Sequence, residues 1–245
     1  MAQLRVSEIY NSVQGEGVNT GLPTTFLRFA GCNMRCPGWP CDTPHAVEPS
    51  IWSAEAEKFE VKDLIARIEE TTGTGIRNIC WTGGEPFLQP AVQLQQLYWA
   101  LFERRYSQEV FTNGSKIFPS WSWEMPKMMD WKLKGSGESN FHVNYFRSEE
   151  QDRELSIECR EQNALELDRR DGIKFVVTNL DDFDEAVETW KYLFMQNCDA
   201  QFWVGAAWNR VKEAELVQWL LDAGLPWKLN VQVHKYIWPA NERGV

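Results

Sequence analysis

Ala30-Gly31-Cys32-Asn33-Met34-Arg35-Cys36-Pro37-Gly38-Trp39-Pro40-Cys41-Asp42-Thr43 carries three of the chain's six cysteines within ten positions. No other stretch brings two cysteines so close together. Three thiolates in one loop, interleaved with Gly and Pro, make a site for a soft metal. Structural zinc prefers four closed ligands, usually as two pairs from separate elements. No second pair exists here, and His45 is the only nearby candidate for a fourth ligand. An iron–sulfur cluster held by three cysteines instead leaves one iron without a protein ligand. That open iron invites a small chelating molecule, so the loop reads as catalytic. A zinc loop of three cysteines and one histidine is the rival reading.

Working outward, residues 4–10 alternate in part and predict a strand, followed by a Gly-rich loop over 11–21 that carries Gln14 and Glu16. Residues 24–30 predict a second strand feeding the cysteine loop. Arg28 interrupts its apolar run and can present a planar fork to a carboxylate. Residues 44–60 read as irregular. A helix is expected over 61–72, where Val61, Leu64, Ile65 and Ile68 share one face. A short buried strand over 78–82 runs into Gly83-Gly84-Glu85-Pro86, where two glycines let the backbone face a ligand.

A helix over 90–106 and a strand over 109–112 follow, the strand ending at the turn pair Asn113-Gly114. A strand over 128–133 contains Asp130 and Lys132 and leads to Lys134-Gly135-Ser136-Gly137. Residues 138–171 form an irregular, charged insertion without an assigned role. Strands over 173–178, 201–206 and 228–234 then alternate with helices over 183–194 and 212–223. Such alternation makes βαβ units and a parallel sheet. The expected fold is α/β, a partial or modified parallel (β/α) barrel over 1–245 as one domain. Its site should lie at the carboxyl ends of the strands, where Gly83, Asn113, Lys132 and His234 fall.

Composition narrows the class. Of 245 residues, 43% are hydrophobic, so the chain folds around a core. No run of 18 apolar residues exists and the first residues lack a signal-peptide core, so a soluble, cytoplasmic protein without membrane contact is expected. Cysteines there are reduced or bind metal, and the isolated Cys80, Cys159 and Cys198 read as buried or inert. A net charge of −10 argues against binding nucleic acid through its phosphates. The 13 tryptophans are expected mostly in the core.

The chain resembles the radical S-adenosylmethionine (SAM) superfamily and, within it, is similar to the 7-carboxy-7-deazaguanine synthases. The resemblance rests on Ser12-Val13-Gln14-Gly15-Glu16-Gly17, Phe29-Ala30-Gly31-Cys32-Asn33, Cys41-Asp42-Thr43 and Trp81-Thr82-Gly83-Gly84-Glu85-Pro86. It continues through Thr112-Asn113-Gly114, Asp130-Trp131-Lys132, Ile173-Lys174-Phe175 and His234-Lys235, in family order over nearly the whole chain. Two departures stand out. The family's C-x3-C-x2-C is C-x3-C-x4-C here, and Phe111 replaces the Glu that many relatives carry before Thr-Asn-Gly.

The resemblance implies a [4Fe–4S] cluster on Cys32, Cys36 and Cys41. It implies SAM held by Gly83, Gly84, Glu85, Asn113, Lys132 and Ser136, and Mg2+ on Thr43 with Asp42 in support. The implied substrate is 6-carboxy-5,6,7,8-tetrahydropterin, contacted by Gln14, Glu16, Arg28, Thr82 and His234. A 5′-deoxyadenosyl radical takes hydrogen from it, and the ring contracts to 7-carboxy-7-deazaguanine with loss of ammonia. An electron donor such as flavodoxin or ferredoxin and a homodimer are also implied. The two extra loop residues are expected to bulge outward, with Trp39 over the cluster edge, leaving Asp42 and Thr43 in position. Another radical SAM enzyme, such as a glycyl-radical activase, and a non-catalytic zinc-stabilised module are the alternatives.

Overall fold

Ile79, Cys80 and Trp81 are all buried, although neighbours in a strand point to opposite faces. A strand covered on both faces belongs in a parallel sheet. The computed structural model, which describes residues 2–38, 41–138, 159–239 and 242–245, is built that way. Its strands are β1 (Leu4–Val13), β2 (Pro23–Phe29), β3 (Glu57–Phe59), β4 (Asn78–Gly83), β5 (Ser107–Thr112), β6 (Lys127–Trp131), β7 (Gly172–Val177), β8 (Gln201–Ala206) and β9 (Lys228–Leu229). They form one nine-stranded sheet in the order β3-β1-β2-β4-β5-β6-β7-β8-β9. From β2 to β9 every pairing is parallel; β1 runs antiparallel to β2 and β3.

The helices are α1 (Pro44–Val47), α2 (Pro49–Glu55), α3 (Val61–Thr72), α4 (Ala91–Glu103), α5 (residues 159–166), α6 (Leu180–Met195), α7 (Glu213–Ala223) and α8 (His234–Ile237). Leu64 and Ile68 of α3, Leu94 and Leu97 of α4, Phe183 of α6 and Leu216 of α7 join a core with Leu27, Ile79, Trp81, Ile173 and Phe175 from the sheet. Tryptophan fills part of it: Trp227 lies 5.4 Å from Phe175 and 5.9 Å from Phe183, centroid to centroid. Trp99 and Trp123 are exposed instead. Among the described residues no helix is long and apolar enough to cross a membrane.

The opposite face of the sheet lines a cavity, as the period of two requires. On β2, Leu27 and Phe29 enter the core while Phe26 and Arg28 line the cavity. On β6, Met129 and Trp131 enter the core while Met128, Asp130 and, just beyond, Lys132 line the cavity. β1 breaks this alternation. Its pairing shifts between Val6 and Glu8, so Val6 stands opposite Phe29 and Glu8 opposite Arg28. The extra residue at this bulge switches faces. Leu4 and Val6 therefore enter the core, while Glu8 and Tyr10 line the cavity.

The partial barrel is thus found, with β3 and β9 as its edges. The loop after β1 bridges toward the β9 end: the Gly17 N–H donates to Asn230 Oδ1 at 3.1 Å and the Val233 N–H to the Gly15 carbonyl at 3.1 Å. Two expectations need correction. Residues 44–60 are ordered as α1, α2 and β3; Pro44 at the first turn of α1 pre-sets its φ. Residues 228–234 are not one strand. β9 stops at Leu229 because Asn230 and Val233 turn to bond the loop after β1, and His234 opens α8. Residues 139–158 of the charged insertion lie outside the described residues.

Candidate active site

The carboxyl ends of the parallel strands open into a cavity of about 820 Å³, within the range of small-molecule sites. Cys32, Cys36 and Cys41 all line it. Close backbone contact holds their loop. The Gly84 N–H donates to the Phe29 carbonyl at 2.9 Å and the Glu85 N–H to the Gly31 carbonyl at 2.8 Å. A Cβ on Gly84 would lie 2.0 Å from the Gly31 carbonyl oxygen, and one on Gly83 would lie 2.2 Å from that of Phe29. Both glycines are therefore needed to dock the end of β4 against the start of the cysteine loop, and both also line the cavity. Cys36 itself has φ 47°, in the left-handed region.

The other side of the loop rests on residues 134–138. The Gly38 N–H donates to the Ser136 carbonyl at 3.0 Å, and a Cβ on Gly38 would collide with the Gly135 carbonyl. Glu138 Oε1 accepts from the backbone N–H groups of Arg35 and Cys36. Ser136 Oγ in turn accepts the Glu138 N–H at 2.9 Å and donates to the Leu133 carbonyl. Trp39 and Pro40, the centre of the expected bulge, lie outside the described residues.

The donor set fits a cluster held by thiolates. Burial pushes the Cys32 thiol up to about 12 and the Cys36 thiol up to about 11. Thiols so desolvated ionise only with a metal's positive charge beside them, which couples metal loading to proton release. Cys32 Sγ already accepts from the Met34 N–H at 3.4 Å and lies 3.7 Å from Asn113 Nδ2. The candidate fourth zinc ligand is engaged elsewhere: His45 Nε2 lies 3.0 Å from Glu8 Oε2.

The six residues expected around SAM separate into two groups. Gly83, Gly84, Asn113 and Lys132 line the cavity. The side chains of Glu85 and Ser136 are fully buried and hydrogen-bonded within the fold beside it. Glu85 accepts from the backbone N–H groups of Phe87 and Asn113 and from Thr112 Oγ1, at 3.0, 2.7 and 2.8 Å. Burial still pushes its carboxyl up to about 7.

Gln14, Glu16, Arg28, Thr82 and His234, the five residues expected around the substrate, all line the same cavity. Arg28 donates from Nε to Glu8 at 2.9 Å and from an Nη to the Tyr10 hydroxyl at 2.6 Å, which fixes its plane. Glu8 also meets His45 and Arg243; burial pushes its carboxyl up, but the hydrogen bonds from His45 and Arg243 and the charge of Arg28 outweigh burial and hold it at about 2. His234 packs directly on Gly15, where any Cβ would lie 2.2 Å from its Nδ1. Burial lowers the His234 pKa, so its imidazole is neutral at pH 7. Thr43 Oγ1 donates to the Gly83 carbonyl at 3.4 Å and lies 3.6 Å from Cys41 Sγ. The Asp42 carboxylate is engaged by Lys235 Nζ at 2.8 Å and Gln232 Nε2 at 3.1 Å.

Sequence reasoning assigned no role to Lys174, which organises one wall. Its Nζ lies 3.0 Å from Glu16 Oε2 and 3.8 Å from Asp130 Oδ2, and Asp130 Oδ2 is 2.7 Å from Lys132 Nζ. Burial opposes every charge in this ladder, yet the neighbours prevail: both carboxyls are lowered and both ammonium groups raised. The available signal was a lysine between Ile173 and Phe175. A cation inside an apolar strand must face a polar cavity. Glu8 and Tyr10 were hidden by the bulge in β1.

Residues 13–130 match the family model for a 4Fe-4S single cluster domain. The chain is 33% identical over 254 residues to the 7-carboxy-7-deazaguanine synthase of Leptospira interrogans, covering 98% of this chain and 97% of that protein. It is 30% identical over 251 residues to the synthase of Clostridium acetobutylicum, covering 98% and 99%. Among solved structures, QueE from Escherichia coli matches with a TM-score of 0.67 at 22% identity over 95% of both chains. The anSMEcpe structure with bound AdoMet matches with a TM-score of 0.52 at 16% identity, over 82% of this chain and 61% of that one. The two structures share the fold, and the two sequences align from one end of the chain to the other: the chain belongs to the 7-carboxy-7-deazaguanine synthase family.

Proposed function

We propose that this protein converts 6-carboxy-5,6,7,8-tetrahydropterin to 7-carboxy-7-deazaguanine with loss of ammonia, as a radical SAM enzyme in deazapurine biosynthesis. The observation that carries this reading is full-length similarity to the synthases, joined to one cavity lined by both the three cysteines and the five polar residues. Cys32, Cys36 and Cys41 would hold a [4Fe–4S] cluster, which together with SAM would supply radical hydrogen abstraction. The chain's own residues bind and orient. Asn113, Lys132 and the backbone at Gly83 and Gly84 face SAM. Arg28, held in plane by Glu8 and Tyr10, faces the substrate carboxylate. Glu16, Gln14, Thr82 and neutral His234 face the ring.

Anaerobic turnover of the tetrahydropterin with SAM, magnesium and a reductant tests the reading; absence of the deazaguanine product overturns it. A one-electron donor of the flavodoxin or ferredoxin kind, a cytoplasmic location, a homodimeric assembly and one domain spanning 1–245 complete it.

Arg28→Ala is expected to lower ring contraction about ten- to a hundredfold, the worth of one charge-assisted hydrogen bond, and His234→Ala roughly two- to tenfold, the worth of one neutral hydrogen bond. Substrate-independent SAM cleavage should persist in both, as 5′-deoxyadenosine formation will show. Unchanged turnover in both variants would put the substrate elsewhere.

Magnesium wants hard oxygens and keeps several of its waters. Thr43 supplies one such oxygen, whereas Lys235 and Gln232 engage Asp42. We assign Thr43 as the protein ligand, with Asp42 holding the segment in place. Turnover should rise with magnesium in the wild type and lose that dependence in Thr43→Ala. A Thr43→Ala enzyme with full magnesium stimulation would refute the assignment.

A further inference from the structure

Glu109 lies on β5 two residues before Phe111, on the same, cavity-side face. It is buried, and its carboxylate accepts from Gln14 Nε2 and, at 2.8 Å, from Asn19 Nδ2. Both donors sit on the loop after β1. The other end of the Gln14 amide is tied as well, because its Oε1 accepts the Glu16 N–H at 3.3 Å. Burial pushes the Glu109 carboxyl up, opposed by the donors on Gln14 and Asn19; as a carboxylate it only accepts, and a peptide N–H only donates. Turning the amide over would set carbonyl against carboxylate and NH2 against N–H, and both hydrogen bonds would be lost. The second N–H of the Gln14 amide is engaged by Cys80, so Gln14 meets the cavity through the remaining lone pair of its carbonyl oxygen. The Glu16 carboxylate, two residues on, is a second acceptor on the same wall.

We infer that Glu109 is a positioning residue: by setting the orientation of the Gln14 amide it makes this corner of the cavity an acceptor, selective for a ring edge that donates. The inference rests on the proposed function and deepens it. In the tetrahydropterin the matching edge is the 2-amino group beside the ring N3–H. A substrate lacking that amino group leaves an acceptor buried without a donor.

The test uses the anaerobically reconstituted holoenzyme and compares kcat/KM for the tetrahydropterin with that for its 2-deamino analogue. The wild type should prefer the parent by roughly ten- to a hundredfold, the worth of one buried hydrogen bond. In Glu109→Gln the amide at 109 offers either a donor or an acceptor, so only the long Glu16 N–H bond still favours one orientation of Gln14. The preference should then fall by about tenfold or more. Iron content and substrate-free SAM cleavage should stay at wild-type level. Combining Glu109→Gln with Gln14→Glu restores an NH2-to-carboxylate pair with the polarity exchanged and again presents only acceptors. This swap should recover the preference, and it keeps the test available if the single variant does not fold.

A merely structural anchor would lower the melting temperature and slow both substrates alike, leaving their ratio unmoved. An unchanged ratio in Glu109→Gln, or a folded swap that does not recover it, overturns the inference. A wild type that makes no deazaguanine from the parent compound overturns the functional reading and takes this inference with it. The two failures are therefore distinguishable.

Discussion

Replacing Cys32, Cys36 or Cys41 singly by alanine is expected to abolish SAM cleavage altogether. A cubane has fixed dimensions, and three thiolates must reach it from one loop. The loop cannot shift to compensate. Glu138 ties the N–H groups of Arg35 and Cys36 from one side, while the end of β4 holds Gly31 through Gly84 and Glu85 from the other. Two ligands leave a cluster with two exposed irons, which is lost or degraded. Iron and sulfide content, the electron paramagnetic resonance signal of the reduced protein and 5′-deoxyadenosine formation should all fall to background.

The remaining cysteines supply the control. Cys198 is buried and donates to the Ala164 carbonyl at 3.1 Å, away from the cavity. Cys198→Ala should keep iron and activity. A variant at position 32, 36 or 41 that still cleaved SAM at the normal rate would sink the assignment.

Lys174→Met is expected to lower turnover by two to three orders of magnitude while iron content stays intact. Removing one partner of a buried ion pair costs about 3–5 kcal/mol, because the other charge remains buried and uncompensated. Here two carboxylates depend on the same ammonium group. Glu16 is 3.0 Å from it and Asp130 is 3.8 Å from it. Without Lys174 the Glu16 carboxyl rises toward protonation, by burial alone, and its acceptor role is compromised. Asp130 keeps Lys132, so the side of the cavity near the cysteines should be disturbed less. A second variant separates stability from chemistry. Glu16→Gln combined with Lys174→Met removes both charges and should recover much of the lost melting temperature without recovering turnover. Normal turnover in Lys174→Met would show that this wall does not contact the reaction.

Both predictions bear on how much of the molecule can be read along the chain. The cysteine loop, the Gly83-Gly84 turn and the strand–helix alternation were legible because each depends on neighbours in sequence. Thiol spacing, turn chemistry and side-chain period are local properties. The glycines were assigned to ligand approach, whereas the structure adds a second reason. Gly84 and Gly38 are where one backbone segment presses on another, and only the assembled loops reveal such contact. Glu85 and Ser136 fall at the right place in the chain, yet their side chains turn into the fold, Glu85 to the end of β5 and Ser136 to the backbone of its own turn. Sequence position does not say which way a polar side chain turns when two partners compete for it.

By itself, then, the sequence determined the fold class, the gathering of three thiols in one loop and the family's order of motifs. It could do so because these reside in residue type, spacing and period. Tertiary structure alone decided the rest of the cavity wall. The bulge between Val6 and Glu8 reverses which residues of β1 face inward, so a strand that begins in the core ends by holding Arg28. Lys174 reaches Glu16 across 158 positions of chain, and Glu109 reaches Gln14 across 95. Buried charges find their partners through the topology of the sheet, and no local pattern encodes those pairings.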